Sequence, residues 1–231
     1  ILNDTVYRIA AKGWSLFQRL TPTNTVKSFR RTDDLVQEFL TWIDGKEDWF
    51  GWVHLMEPHH PYDPDEVNLS HAASQAISRD AIATNDPSNP KTVRDLYKQE
   101  VVETDTRLAQ LWDTIPADTQ IIFTADHGEL LGEDGIWGHP GQTFHPNILK
   151  IPFATSNISV DSDVISFIDI PALLLGHEWC ESQLNREVAF ASMSGMKCAF
   201  DTTHMLTESD HYTLDGSDTD PSPQLQRALE S

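Results

Sequence analysis

The segment TQIIFTADHGELLGEDGIWGHPG, residues 119–141, decides the fold that the sequence predicts. Its apolar run Ile121–Phe123 consists of β-branched and aromatic residues, which predicts a buried strand. Asp126 and His127 follow the run, and Gly128 turns the chain. Because ligands in open α/β sheets collect at the carboxyl ends of strands, we expect this carboxylate and imidazole at a binding edge, where they can share one divalent cation.

A second imidazole follows on the loop Gly138–Gly141. Pro140 stiffens this loop around His139, and its glycines allow the chain to turn. Together with Asp126 and His127, His139 suggests a metal-assisted hydrolase.

A proline-rich loop follows an earlier apolar run. Residues 49–56, WFGWVHLM, are apolar almost throughout, which predicts a buried strand of a parallel sheet. The strand leads into residues 57–64, EPHHPYDP, where three prolines exclude helix and sheet. Stiff strand-end loops are where enzymes hold polar groups in place, so His59 is a candidate site residue. His54 lies inside the predicted strand and is interpreted as a hydrogen-bonded core histidine.

The order of the predicted elements indicates an α/β fold with a mostly parallel sheet flanked by helices. Helices are predicted from Asp33 to Gly45 and, with the longest apolar stripe, from Pro90 to Ile115. A strand, a long helix and a second strand form the βαβ pattern of a parallel sheet. Three short β-rich runs after residue 186 predict a small antiparallel sheet near the C-terminus.

Composition narrows the class of protein. The 231 residues carry a net charge of −20, from 36 acidic and 16 basic residues, which argues against nucleic acid as a partner. No run of about 18 apolar residues is present, so no transmembrane segment is predicted. Cys180 and Cys198 are too few for a disulfide framework or a zinc cluster, although a single bridge stays open.

With these segments in place, the chain resembles the sulfatases of the alkaline phosphatase superfamily. Residues 52–64 look like the family's strand that ends in Pro-His-x-Pro-Tyr, and residues 123–141 look like its Asp-His/Asn-Gly strand end with a Gly-His or Gly-Lys loop. Residues 164–176 and 214–225 are similar to the family's later segments. The resemblance implies an alkaline phosphatase-like sulfatase domain, in its C-terminal part, over residues 1–176, and a small β-rich subdomain over residues 177–231.

The resemblance also implies roles for individual residues. Asp126 and His127 would bind one divalent metal ion, Ca²⁺ in the first place, with Mg²⁺, Mn²⁺ or Zn²⁺ as alternatives. His59 and His139 would be the catalytic and substrate-binding residues that contact the sulfate group or the leaving oxygen. His139 stands where many sulfatases have Lys. Where the family often has Tyr-Glu-Glu, this chain has Phe144-His145-Pro146, and the sequence offers no reason for that difference.

The family's nucleophile has no counterpart in this sequence. In the family it is a hydrated formylglycine, made from the Cys or Ser of a Cys/Ser-x-Pro-x-Arg motif, and a pair of Asp metal ligands precedes it. We therefore expect the chain to be a fragment of a longer sulfatase, with formylglycine in the missing N-terminal part, and to hydrolyse no sulfate ester alone. A degenerate homologue without catalytic activity is the alternative interpretation.

The predicted function is metal-dependent hydrolysis of a small-molecule or glycan sulfate ester. Two other classes stay open. A phosphodiesterase or phosphatase of the same superfamily would be favoured by a second metal ion held partly by His59 and His139. A non-enzymatic domain with structural histidines would be favoured by an absence of metal binding. The cellular location is left open.

The acidic composition makes a prediction about salt. Excess Asp with few Lys is typical of proteins adapted to high salt, because like charges repel one another until ions screen them. We expect the melting midpoint of the chain to rise from dilute buffer to molar KCl, as measured by circular dichroism across a salt series. A midpoint that stays constant or falls would contradict the halophilic interpretation.

Overall fold

A computed structural model describes residues 30–141, 143–175, 186–216 and 219–230. The chain divides into two compact units, the first ending at Thr114 and the second beginning at Ile115. Cys180 and the predicted subdomain boundary after residue 176 lie outside the described residues, so the boundary stays a prediction.

The described part of the first unit is helical. It contains α1 (Thr32–Ile43), α2 (His71–Thr84) and α3 (Pro90–Thr114), and α3 contacts both of the others. The core comes from apolar side chains at helical spacing on α1 and α3: Val36, Leu40, Ile43, Val93, Leu96, Leu108 and Leu111. The two helices that the apolar periodicity predicted here are therefore confirmed.

The predicted strand over residues 49–56 is wrong. The segment belongs to no sheet, and Phe50 and Trp52 are 70% and 73% exposed. Its other side packs on α1, where a Cβ on Gly51 would lie 2.4 Å from the ring of Phe39. A strand needs a neighbour for its backbone hydrogen bonds, and no described residue supplies one to residues 49–53. His54 is exposed, contrary to its predicted core position.

The described residues of the second unit form three small antiparallel sheets. Strand β1 (Ile121–Thr124) pairs with β4 (Phe153–Ser156), and β2 (Leu130–Leu131) pairs with β3 (Trp137–Gly138). A four-stranded sheet follows in chain order, made of β5 (Ala189–Met193), β6 (Met196–Phe200), β7 (His204–Thr207) and β8 (His211–Thr213). The same unit also contains the helices α4 (Pro146–Leu149), α5 (Ile170–Leu175) and α6 (Pro223–Glu230).

The mostly parallel sheet is not found in the described part of the chain, where every strand pair is antiparallel. The parallel prediction needed residues 49–56 as the first strand of a βαβ unit. Strand β1 pairs instead with β4, and an antiparallel pair needs no crossover helix. The mixture of helices and strands and the small antiparallel sheet near the C-terminus are as predicted.

A close contact between two backbones fixes the chain between β1 and β2. The N–H group of Gly128 donates to the carbonyl oxygen of Ile148 over 2.7 Å. A Cβ at residue 128 would lie 1.9 Å from the carbonyl oxygen of Asn147, and backbone atoms cannot give way as the end of a side chain can. The contact therefore requires glycine, and it holds the residues on both sides of Gly128 against α4.

Substitution tests this contact. We expect Gly128→Ala to lower the free energy of unfolding by roughly 2–4 kcal/mol, because the new methyl group overlaps a backbone carbonyl. Gly141→Ala is the matched control, since its Cβ would meet nothing within 4 Å, and we expect a change within about 1 kcal/mol. Urea unfolding followed by fluorescence measures both values, and equal stabilities for the two variants would contradict the contact.

Candidate functional site

Asp126 and His127 lie between the end of β1 and Gly128. Asp126 Oδ1 accepts a hydrogen bond from the backbone N–H of His127 (3.0 Å) and lies 3.9 Å from His127 Nε2. His127 Nδ1 is 2.8 Å from the carbonyl oxygen of Gly128. Because a carbonyl oxygen only accepts, Nδ1 carries the proton, and the neutral ring has its lone pair on Nε2.

This pair fits a shared divalent cation. Two ligands that each stand roughly 2.1–2.5 Å from one ion are about 3–4 Å apart, which includes the observed separation. A carboxylate and an imidazole together suit Mn²⁺ or Zn²⁺ as well as Ca²⁺ or Mg²⁺. Among the described residues of this unit, no three metal-binding side chains have their ligand atoms within 4.8 Å of one another.

His139 lies directly beside His127, with the ring centroids 4.2 Å apart. Its Nδ1 is 2.8 Å from a carboxylate oxygen of Glu129, whose side chain is only 6% exposed. As with His127, the acceptor fixes the proton on Nδ1 and leaves the lone pair of the neutral ring on Nε2. The structure therefore brings three of the predicted site residues together, Asp126, His127 and His139.

The sequence reasoning missed Glu129. The register of β2 and β3 pairs Leu130 with Gly138, so the next residues outward, Glu129 and His139, stand opposite each other. That signal depends on knowing the register of a hairpin with two residues in each strand. Residue types and spacing alone do not determine the register of β2 and β3, so they do not identify the partner of His139.

His59 belongs to the first unit. Its ring stacks on that of His60 with centroids 4.4 Å apart, and its Nδ1 lies 2.6 Å from the carbonyl oxygen of His60. The Nδ1 proton is again fixed by an oxygen that only accepts, so the neutral ring has its lone pair on Nε2. In this tautomer the His59 ring can bind a ligand through Nε2 or accept a proton there.

Buried side chains of α2 and α3 anchor the loop that carries His59. Four backbone N–H groups of the loop donate to them: Tyr62 to Ser78 (3.0 Å), Asp63 to Glu100, and Asp65 and Glu66 to Glu103 (2.9 and 2.8 Å). These bonds satisfy donors that a proline-rich segment cannot place in a helix or sheet. Glu100 therefore serves as an acceptor for the loop backbone.

Arg107 compensates the negative charge gathered under this loop. Its guanidinium lies 3.2 Å from Glu57 and 2.9 Å from both Glu103 and Asp65, and its side chain is 12% exposed. Glu57 also accepts from the backbone N–H and the hydroxyl of Thr32 at the start of α1 (3.0 and 2.6 Å). A hydrogen bond from Arg31 holds the pKa of Asp65 below its ordinary value, although partial burial opposes the shift. The loop and two helices are thus joined by one ionic network.

His145 has a structural role that the sequence did not show. Its Nδ1 accepts from the backbone N–H of Asn147 (3.0 Å) and so caps α4. With Nδ1 as acceptor the neutral ring carries its proton on Nε2, which lies 3.6 Å from Asp134. This cap accounts for the His in Phe144-His145-Pro146, where the family often has a different sequence.

Cys198 does not have the properties of a nucleophile. Its side chain is fully buried, and desolvation raises the pKa of the thiol to about 11. The reactive form of cysteine is the thiolate, which such a pKa disfavours near neutrality.

A family model described as Sulfatase matches residues 7–176. The chain therefore belongs to the sulfatase family, and the resemblance found in the two motifs is confirmed. The curated relative "Low-salt glycan biosynthesis sulfotransferase Agl7" of Haloferax volcanii is 28% identical over 113 residues. That match covers 43% of this chain and 24% of the relative, so it spans about a quarter of the relative's length. In the part of the chain that the structure describes, the helices fall short of the length and apolar character needed to cross a membrane.

The ionic network of the first unit makes a stability prediction. We expect Arg107→Leu to lower the free energy of unfolding by roughly 3–5 kcal/mol, because it leaves buried Glu57 and Glu103 without their counter-charge. Lys91→Leu is the control on the same helix, since the Lys91 side chain is 84% exposed and its ion pair with Asp95 is worth at most about 1 kcal/mol. Urea unfolding provides both values, and a loss of less than 1 kcal/mol in Arg107→Leu would contradict the role given to the network.

Proposed function

We propose that this chain carries the metal-binding pair and the sulfate-contacting histidines of a sulfuric ester hydrolase. The observation that supports the proposal most is the pair Asp126 and His127. An oxygen and a nitrogen suited to one cation stand 3.9 Å apart within the residues that the Sulfatase family model matches.

The bound cation, Ca²⁺ in this proposal, would polarise the sulfuryl oxygens of the ester. Asp126 and His127 would hold it, the first through a carboxylate oxygen and the second through Nε2. In its protonated form His139 would donate from Nε2 to a sulfuryl or leaving oxygen, while Nδ1 remains bonded to Glu129. We propose the same type of contact for His59, whose Nδ1 is likewise held by an oxygen acceptor.

We assign no nucleophile to the described residues. A metal ion and imidazoles alone do not provide covalent catalysis, so the proposed hydrolysis requires a nucleophile such as the family's formylglycine.

The substrate proposed is a glycan sulfate ester. The relative from Haloferax volcanii is described as a sulfotransferase of glycan biosynthesis. That description favours a second candidate function, transfer of the sulfuryl group to a sugar hydroxyl instead of to water. Both reactions transfer a sulfuryl group, and they differ in the acceptor, which is water in hydrolysis and a sugar hydroxyl in the transferase reaction. The acidic composition further supports a protein that works at high salt.

Metal binding tests the proposal directly. We expect isothermal titration calorimetry of the metal-free chain to show one site for Ca²⁺, and Asp126→Asn to weaken binding at least about tenfold, since the amide offers a weaker, uncharged ligand. Asp118→Asn is the matched control, because Asp118 is an exposed aspartate of the same unit. The same titration is repeated with Mg²⁺, Mn²⁺ and Zn²⁺.

Three outcomes of the titrations would count against the assignment. Equal affinities in wild type and Asp126→Asn would remove Asp126 from the site. Two ions bound per chain would favour the phosphodiesterase or phosphatase reading, whose chemistry uses metal pairs. Binding of none of the four ions would favour the non-enzymatic reading.

A further inference from the structure

We propose that Glu129 is the positioning residue of His139. By accepting a hydrogen bond from the Nδ1–H group, its carboxylate fixes the tautomer and the orientation of the ring, so that Nε2 faces the opposite side of the ring. A catalytic role for this interaction rests on the proposed function. The tautomer of His139 does not depend on that function.

The backbone brings the two side chains together. Leu130 pairs with Gly138 in the β2–β3 hairpin, which places residues 129 and 139 opposite each other at its open end. At the adjoining residue, the Gly128 contact with Ile148 holds the chain against α4. The 2.8 Å separation of His139 Nδ1 and Glu129 Oε1 is therefore set by two backbone constraints.

Burial makes the hydrogen bond necessary for Glu129 as well as for His139. A carboxylate whose side chain is 6% exposed has lost most of its water and must receive hydrogen bonds from the protein. The Nδ1–H group of His139 supplies one of them. The histidine therefore stabilises the ionised carboxylate, and the carboxylate stabilises the Nδ1–H tautomer of the histidine. A neutral histidine in water populates both tautomers, whereas a carboxylate at this distance admits only the one with the proton on Nδ1.

The other acidic side chains of the hairpin face different groups. Glu133 accepts from the backbone N–H of Leu131 over 2.6 Å, and Asp134 lies 3.6 Å from His145. Glu129 is thus the carboxylate that contacts His139 among those three. Glu133 provides a control of the same residue type in the same hairpin.

Nitrogen-15 NMR of the imidazole rings tests the proposal. The labelled chain is measured without metal, at a pH where the rings are neutral, and His139 and His127 are assigned from their Gln variants. In wild type we expect both rings to have the proton on Nδ1. In Glu129→Leu, His139 should lose this fixed tautomer and become a mixture or an Nε2–H ring. His127 should stay unchanged, because its acceptor is the backbone carbonyl of Gly128.

The Glu133→Leu control should leave both rings as in wild type. A wild-type His139 ring with its proton on Nε2 would overturn the proposal, and that measurement needs no variant to fold. An unchanged Nδ1–H ring in Glu129→Leu would overturn it too. The spectra require neither metal nor turnover, so they test the role of Glu129 separately from the proposed function. If NMR shows the expected tautomer and calorimetry shows no metal binding, the proposed function is rejected and the role of Glu129 is supported.

Discussion

The second unit depends on the close approach of two backbones at Gly128. The hydrogen bond to Ile148 and the absence of a side chain let the chain lie against α4. On one side of this point stand Asp126 and His127, whose imidazole uses the Gly128 carbonyl as its acceptor. On the other side stands Glu129, which holds His139. One glycine therefore serves the packing and the placement of both imidazoles.

In the first unit, hydrogen bonds to buried side chains hold the proline-rich loop in place. Its proline-rich loop cannot satisfy its N–H groups in regular structure, and buried carboxylates of α3 accept them instead. Carboxylates out of contact with water need counter-charge, which Arg107 supplies to Glu57 and Glu103. The loop that carries His59 is therefore held in place by side chains of α3, and not by pairing with a strand.

Local patterns in the sequence predicted the local structure well and the long-range pairing poorly. Helical periodicity located α1 and α3, and the run Ile121–Phe123 located β1, because these signals lie within one element. The predicted burial of that strand is wrong, since Phe123 is 39% exposed. The parallel sheet failed because the apolar character of residues 49–56 indicates packing and does not identify a partner strand. Glu129 and the cap at His145 were missed for a related reason. Each acts through a residue whose position depends on register or on a short helix, which residue types do not reveal.

Hydrogen-bond partners sort the histidines into two chemical groups. In His59, His127 and His139 an oxygen that only accepts receives a hydrogen bond from Nδ1–H, so Nε2 is the atom with the lone pair. In His145 and His204 the proton lies on Nε2, because Nδ1 caps a helix in the first and Nε2 faces the carbonyl of Thr219 in the second. His71 also donates from Nδ1, but its side chain is 68% exposed on α2, so the tautomer alone does not define a site. A histidine that binds a metal ion through Nε2 needs the first arrangement. The three predicted site histidines share this arrangement with His71, so it is compatible with their predicted roles, and those roles stay predictions.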